Sequence, residues 1–195
     1  TWKSRGLGDV YKRQVYVLYK FVDVYNLLHR ESDALEAGMR ALNISKELKN
    51  DHLISECYNF LAKTHSALGD KSEELKNLKQ SKKISEIGNN KDRLGQALAL
   101  IATHFRQTGD LDSSMHYIKG SFKIHKELGN KLKSIKDLEY MGGVYLQIGD
   151  TESAMDHLDQ AMAIAKEIKD DLRINDCHYS IGYIYLYQKD YAQAI

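Results

Sequence analysis

Proline is absent from all 195 residues, so nothing in the chain forces a helix to kink or stop. An excess of one charge is missing too. Lys+Arg number 28 against 27 Asp+Glu, a net of +1, which leaves no global basic field to hold nucleic acid or an anionic membrane. No apolar run approaches the roughly 20 residues that a membrane span needs. The spacings that carry catalysis are also missing. The eight histidines are scattered and form no His-Glu-x-x-His. There is no Cys-x-x-Cys, no phosphate loop and no Gly-x-Ser-x-Gly. The chain reads as non-catalytic, with no cofactor and no metal.

What is present is a period. Gly69-Asp70, Gly109-Asp110, Gly149-Asp150 and Lys189-Asp190 recur at a step of 40 residues. Ile44, Ile84, Ile124 and Ile164 keep the same step, and so do the small residues Ala41, Ser81, Ser121 and Ala161. A period in this range means a stack of units, each burying its apolar face against its neighbours. Cys57 and Cys177 lie three repeats apart. They occupy equivalent places in different units, and a disulfide needs Cα atoms within about 7 Å, so they are expected to stay unpaired. Two free thiols favour a reducing compartment and a cytoplasmic location.

Each unit reads as two helices. Leu138, Met141, Val144, Tyr145 and Ile148 recur at helical spacing up to Gly149, which accepts a left-handed stop. Asp150 then caps a second helix carrying Ala154, Leu158, Ala161, Ile164, Ala165 and Ile168 on one face. Asp70-Lys71-Ser72-Glu73 and Asp190-Tyr191-Ala192-Gln193 have capping-box patterns. Asp170-Asp171 sits where an acidic cap is expected. First helices are predicted near 16–28, 52–68, 92–108, 132–148 and 172–188, and second helices near 32–48, 71–87, 111–128 and 151–168. Gly88 stands one place earlier than Gly129 in its unit, which predicts a loop one residue longer after it.

These residues resemble the tetratricopeptide repeat. That pattern places a large residue, then Leu-Gly, then Tyr on the first helix, and Ala followed four later by Phe on the second. Here it reads Leu138, Met141-Gly142, Tyr145, then Ala154 and Leu158. The last unit gives His178, Ile181-Gly182, Tyr185 and Ala194. The middle unit gives Leu98, Ile101-Ala102, Phe105, Ser114 and Ile118. The repeat is 40 residues without a closing proline, and so is similar to the longer subclass of bacterial signalling proteins, quorum-peptide receptors and kinesin light chains. The resemblance implies an all-α, right-handed solenoid of antiparallel helix pairs, four pairs and a truncated fifth. Glu74 departs from it where a small residue is usual, and Gly38 where an aromatic is usual.

Residues 15–195 form the repeat domain, with its C-terminal end truncated. Residues 1–14 read as a non-native or disordered lead-in, because Asp9-Val10-Tyr11-Lys12-Arg13-Gln14 resembles a translated sequencing adapter. The last first helix would leave Ile181, Ile184 and Tyr185 uncovered, a patch that favours self-association.

In proteins of this family the free face of the first helices lines a concave groove. The corresponding positions here are Asn59, Lys63, Thr103, Arg106, Glu139, Tyr140, Tyr179 and Tyr183. Tyr179, Tyr183 and Tyr187 recur every four residues on this face, and Lys63 and Arg106 suit a ligand carboxylate. The expected role is a scaffold that binds a protein or peptide segment, with no nucleic acid and no membrane insertion. The alternative is the sensory region of a larger signalling protein, ahead of a kinase, cyclase or DNA-binding output domain. The basic run Lys76, Lys79, Lys82 and Lys83 reads as a solvated outer face.

Overall fold

In a computed structural model the backbone is described over residues 2–187 and the side chains over residues 8–186. Among these residues there are nine α-helices and no strand. They are α1 (Trp2–Leu27), α2 (Glu31–Glu47), α3 (Asp51–Ala67), α4 (Lys71–Ile87), α5 (Lys91–Gln107), α6 (Leu111–Glu127), α7 (Lys131–Ile148), α8 (Thr151–Ile168) and α9 (Asp171–Tyr187). The chain forms two compact units, Thr1–His104 and Phe105–Ile195, so the last three residues of α5 belong to the second unit.

The turns explain the regularity. A residue with positive φ stands at 29, 49, 69, 89, 109, 129, 149 and 169, a step of 20 rather than 40. Glycine fills four of these places, where no Cβ opposes the left-handed conformation. His29, Lys49, Asn89 and Lys169 fill the others. Except at Arg30, the next residue then caps the following helix. Asn50, Asp70, Asn90, Asp110, Asn130, Asp150 and Asp170 each accept a hydrogen bond from the backbone N–H three residues on, at 3.0–3.2 Å. The reciprocal half of the capping box does not form at Asp70. Its N–H donates to the His65 carbonyl, and Glu73 pairs with Lys76 instead. The second pattern, at Asp190, lies outside the described residues.

The longer loop predicted after Gly88 is not there. Asn89, in register with Lys49, Gly129 and Lys169, takes the left-handed place, while Gly88 keeps φ −75° as an ordinary helix end. The turn keeps its length because asparagine tolerates that conformation. At the N-terminus α1 begins at Trp2, well before the expected start near residue 16, since no proline interrupts it. Residues 9–14 are exposed, and burial begins at Val15.

In the first unit α1, α2 and α3 close one core, with Val15, Leu18 and Val22 against Ala34, Ala41, Leu53, Cys57 and Leu61. In the second unit α6 packs on α7, α7 on α8 and α8 on α9. The small column Ala41, Ser81, Ser121 and Ala161 is fully buried at every position. A Cβ on Gly142 would stand 3.2 Å from Leu158 Cγ and 3.3 Å from the Ala154 carbonyl, so α7 and α8 touch through that glycine.

The departures from the repeat pattern are accommodated by neighbours. Leu61 fills the space beside Gly38, with Cδ2 at 2.8 Å from where a Cβ would be. Glu74 is buried but meets Lys71 at 2.9 Å and His104 at 3.2 Å. Ile184, expected to be uncovered, is 0% exposed and packs with Ala154 and Leu158. Its column faces the preceding second helix, α8, not a following one. His178, in the large-residue place of the pattern, is exposed.

Candidate functional site

The free faces of the first helices carry the predicted residues, and the two units hold different sets. In the first unit, Lys63 is already engaged: its Nζ lies 2.8 Å from Asp23 Oδ1 on α1. The Thr103 hydroxyl donates to the Ala99 carbonyl at 3.0 Å, back into its own helix. Asn59 is half-buried, and among the described residues its buried Oδ1 accepts no hydrogen bond. Beside them is a network that sequence reasoning missed. Arg93 reaches His52 Nε2 through Nε at 3.0 Å and Nη2 at 2.7 Å, and Nη2 stands 3.3 Å from Glu56. Burial, and then the Arg93 charge, hold the His52 pKa below its ordinary value. His52 therefore accepts at Nε2 as a neutral ring.

The second unit concentrates more. Arg106, near the C-terminus of α5, lies along α7. Its Nε donates to Gln147 Oε1 at 3.1 Å and its Nη2 to the Gly143 carbonyl at 3.2 Å. The guanidinium carbon is 5.2 Å from the centroid of the Tyr140 ring, within cation–π range. The Tyr140 hydroxyl is 3.2 Å from Ser114 Oγ, which fixes the ring. A cavity of about 280 Å³ is lined by Arg106, Gly143, Leu146, Gln147 and Tyr183. Tyr179 and Tyr183, one turn apart on α9, are 80% and 55% exposed. The Tyr187 side chain lies outside the described residues. Glu139 is half-buried, and burial raises its carboxyl pKa above the ordinary range. The Cys177 thiol points to it at 3.9 Å and is itself pushed up to about 11 by burial, with the Glu139 charge next. Arg106, Tyr140 and Tyr183 thus come together in one place, with Glu139 and Tyr179 on the same two helices.

One constellation in the second unit carries the residue types of a hydrolase. His125 Nδ1 lies 2.6 Å from Asp137 Oδ2 and 3.3 Å from Ser121 Oγ. The Ser121 hydroxyl also donates to both Asp137 oxygens at 3.1 Å. Serine and carboxylate share one ring nitrogen, whereas a relay needs them on opposite nitrogens. All three residues are at most 3% exposed. This is a buried polar contact between α6 and α7. The thiols of Cys57 and Cys177 are buried and free, and burial raises both pKa values, which lowers thiolate reactivity. Among the described residues no His, Cys, Asp or Glu group is arranged to hold a metal, and no helix is long and apolar enough to cross a membrane. The basic run on α4 is partly neutralised in its own helix, by Lys76–Glu73 at 2.8 Å and Lys82–Glu86 at 2.6 Å.

The fold is that of tetratricopeptide-like helical repeats. The chain is similar to the TPR-like repeats of a kinesin light chain from Podosopora anserina, with a TM-score of 0.76 and 14% identity over 92% of this chain and 89% of that one. It is similar to aspartyl phosphate phosphatase F from Bacillus subtilis, with a TM-score of 0.78 and 11% identity over 93% of this chain and 57% of that one. A Rap protein complexed with competence and sporulation factor gives a TM-score of 0.75 and 13% identity over 94% and 61% of the two chains. No protein-family model matches the chain, and no curated protein matches it in sequence.

Proposed function

We propose that this chain is a non-catalytic binding module for a protein or peptide segment, with the free face of its first helices as the contact surface. The exposure of Tyr179 and Tyr183 beside the Arg106 cavity carries this reading. Tyrosines offer large, stiff contact area with a polar tip, and aromatic and arginine side chains dominate binding energy at interfaces. Glu139 and Tyr140 extend that surface in the second unit, and Asn59, Lys63 and Thr103 are its counterparts in the first. The likeness to a Rap protein solved with a bound factor supports a binding role for the fold. The Ser121, His125 and Asp137 contact is read as structural, because all three side chains are buried.

The test is capture of binding proteins on the intact chain, followed by calorimetry with each captured species. Tyr183→Ala should weaken a species bound on this face by about 2 kcal/mol or more if the residue is an anchor. Lys79→Ala, on the outer face, should leave affinity unchanged. If Tyr179→Ala and Tyr183→Ala, both folded, bind every captured species as the parent does, the surface lies elsewhere.

A further inference from the structure

We infer that a cleft between α6 and α8, on the second-helix side of the second unit, binds a small aromatic acid. It shares no residue with the surface proposed above. Three observations carry it.

The first is the cleft itself. Its volume is about 380 Å³, within the size range of ligand pockets. Phe122 lines it from α6, Ala163 and Ile164 from α8, and Leu138 and Ser134 from α7. These side chains make an apolar lining with one hydroxyl.

The second is a comparison inside the chain. Two 40-residue steps back, Ile54 stands in the place of Ser134, Tyr58 in that of Leu138 and Ile84 in that of Ile164. There the register is filled. Ile54 is buried in the core of the first unit, and Tyr58 and Ile84 pack against that core. Lys46 lies over the Tyr58 ring, 5.9 Å from its centroid. In the second unit the counterpart lysine, Lys126, is kept, but the ring on α7 beneath it is not. Lys126 lies instead over Phe122 of its own helix, at 5.8 Å. Phe122 is larger than its counterpart Leu42 and makes up part of the lost bulk, yet the cleft remains. A ligand ring would take the place that the first unit fills with Tyr58.

The third is charge. The ionisable groups on the lining are Lys126, Lys131 and Glu167. Lys131 and Glu167 pair at 2.5 Å and offset each other. Lys126 forms no ion pair among the described residues, so the cleft keeps one positive charge. The cleft also borders the first turn of α7, and a helix N-terminus favours an anion. A carboxylate on a short tail from the ring meets both.

The probes are hydrocinnamate, its amide, hexanoate and N-acetyl-phenylalaninamide. Each is titrated into the intact chain while the Leu138 and Ile164 methyl resonances are followed. Hydrocinnamate should shift both residues saturably and bind at least about fivefold more tightly than its amide. Ser134→Ile with Leu138→Tyr copies the filled register of the first unit. It should abolish binding while helicity and thermal midpoint stay near the parent's or rise. Lys126→Gln, at an exposed position, should bring the acid down to the level of the amide, and it keeps the test decisive if the filled variant fails to fold. No saturable shift at about 10 mM probe, equal binding of acid and amide, or unchanged binding in the folded, filled variant overturns the inference. Tighter binding of hexanoate than of hydrocinnamate overturns it in favour of an acyl chain. Tighter binding of N-acetyl-phenylalaninamide overturns it in favour of an aromatic side chain on a partner protein.

Discussion

Glu74 Oε2 lies 3.2 Å from His104 Nδ1, and the two side chains are 7% and 5% exposed. An acid and a histidine meet there between α4, which also buries Asn77, Ser81 and Ser85, and α5, which buries Ala97, Ile101 and Ala102. In the column of Glu74 the chain has Ala34, Ser114 and Ala154, and in the column of His104 it has Thr64, Val144 and Ile184. The two departures compensate each other, and a buried polar pair of this kind is costly to break singly.

Glu74→Ala alone should therefore destabilise the chain by about 1–3 kcal/mol, because it removes the carboxylate that a buried imidazole faces. Glu74→Ala with His104→Ile reproduces the Ala154 and Ile184 pairing two repeats on. The double variant should recover the loss or exceed the parent. Chemical denaturation of the four members of the cycle decides it. A double variant less stable than the single one would show that the pair contributes more than mutual satisfaction.

Gly142→Leu should cost about 1–3 kcal/mol by overpacking, since even a Cβ there meets the Ala154 carbonyl at 3.3 Å. Lys166→Leu, at an exposed position of α8, should change stability by less than about 0.5 kcal/mol. Equal effects measured in urea would refute the helix faces assigned to α7 and α8.

The fold was legible because every layer of the sequence repeats the same instruction. Gly-Asp turns, small-residue columns and apolar spacing place the helices within a few residues of where they stand, except for the start of α1 at Trp2. What stayed hidden were contacts between residues that share no column. Glu74 with His104 and His125 with Asp137 cross from one helix to the next, and Arg93 with His52 from α5 to α3, at separations that no local spacing announces. Paired departures from two columns were the available signal, and Glu74 was noticed without its partner. At the candidate site the cations could be named, but not their partners. Lys63 is held by Asp23, and Arg106 by Gln147 and the Gly143 carbonyl. Gly143 reads as a gap in a polar wall, and only the geometry shows that it seats a guanidinium.

Acid should unfold the chain partly through its caps. Hydrogen bonds from Ser113 hold the Asp110 carboxyl below its ordinary range, and those from Ser153 do the same for Asp150. A carboxyl whose pKa is lower in the folded than in the unfolded state stabilises fully above the unfolded value, near 3.9. That contribution is lost as pH falls through the folded value. Asn remains a good cap but does not titrate there. Thermal midpoints between about pH 5 and about pH 2 should therefore fall less steeply for Asp110→Asn with Asp150→Asn than for the parent. Parallel curves would mean that the caps add nothing to acid sensitivity.

The 20-residue step of left-handed turns makes the sharpest prediction. Lys49 and Lys169 hold φ 49° and 56°, in places that Gly69, Gly109, Gly129 and Gly149 hold in other turns. A residue with a Cβ is strained in this region by roughly 1–2 kcal/mol, part of which glycine returns to the unfolded chain as extra freedom. Lys169→Gly and Lys49→Gly should therefore stabilise, each by up to about 1 kcal/mol. Gly109→Ala, at φ 86° with open space around it, should destabilise through backbone strain alone. Gly88→Ala separates strain from crowding. Its φ of −75° is ordinary, but the added Cβ would stand 3.1 Å from the Asp51 Cβ and 3.3 Å from the Ile84 carbonyl. It should destabilise through contact, and Asp51→Ala should not relieve it, because the Asp51 Cβ and the carbonyl both remain. Denaturation of these variants reads each term separately. If Lys169→Gly is less stable than the parent while Gly109→Ala is neutral, the turn geometry does not control stability at these positions.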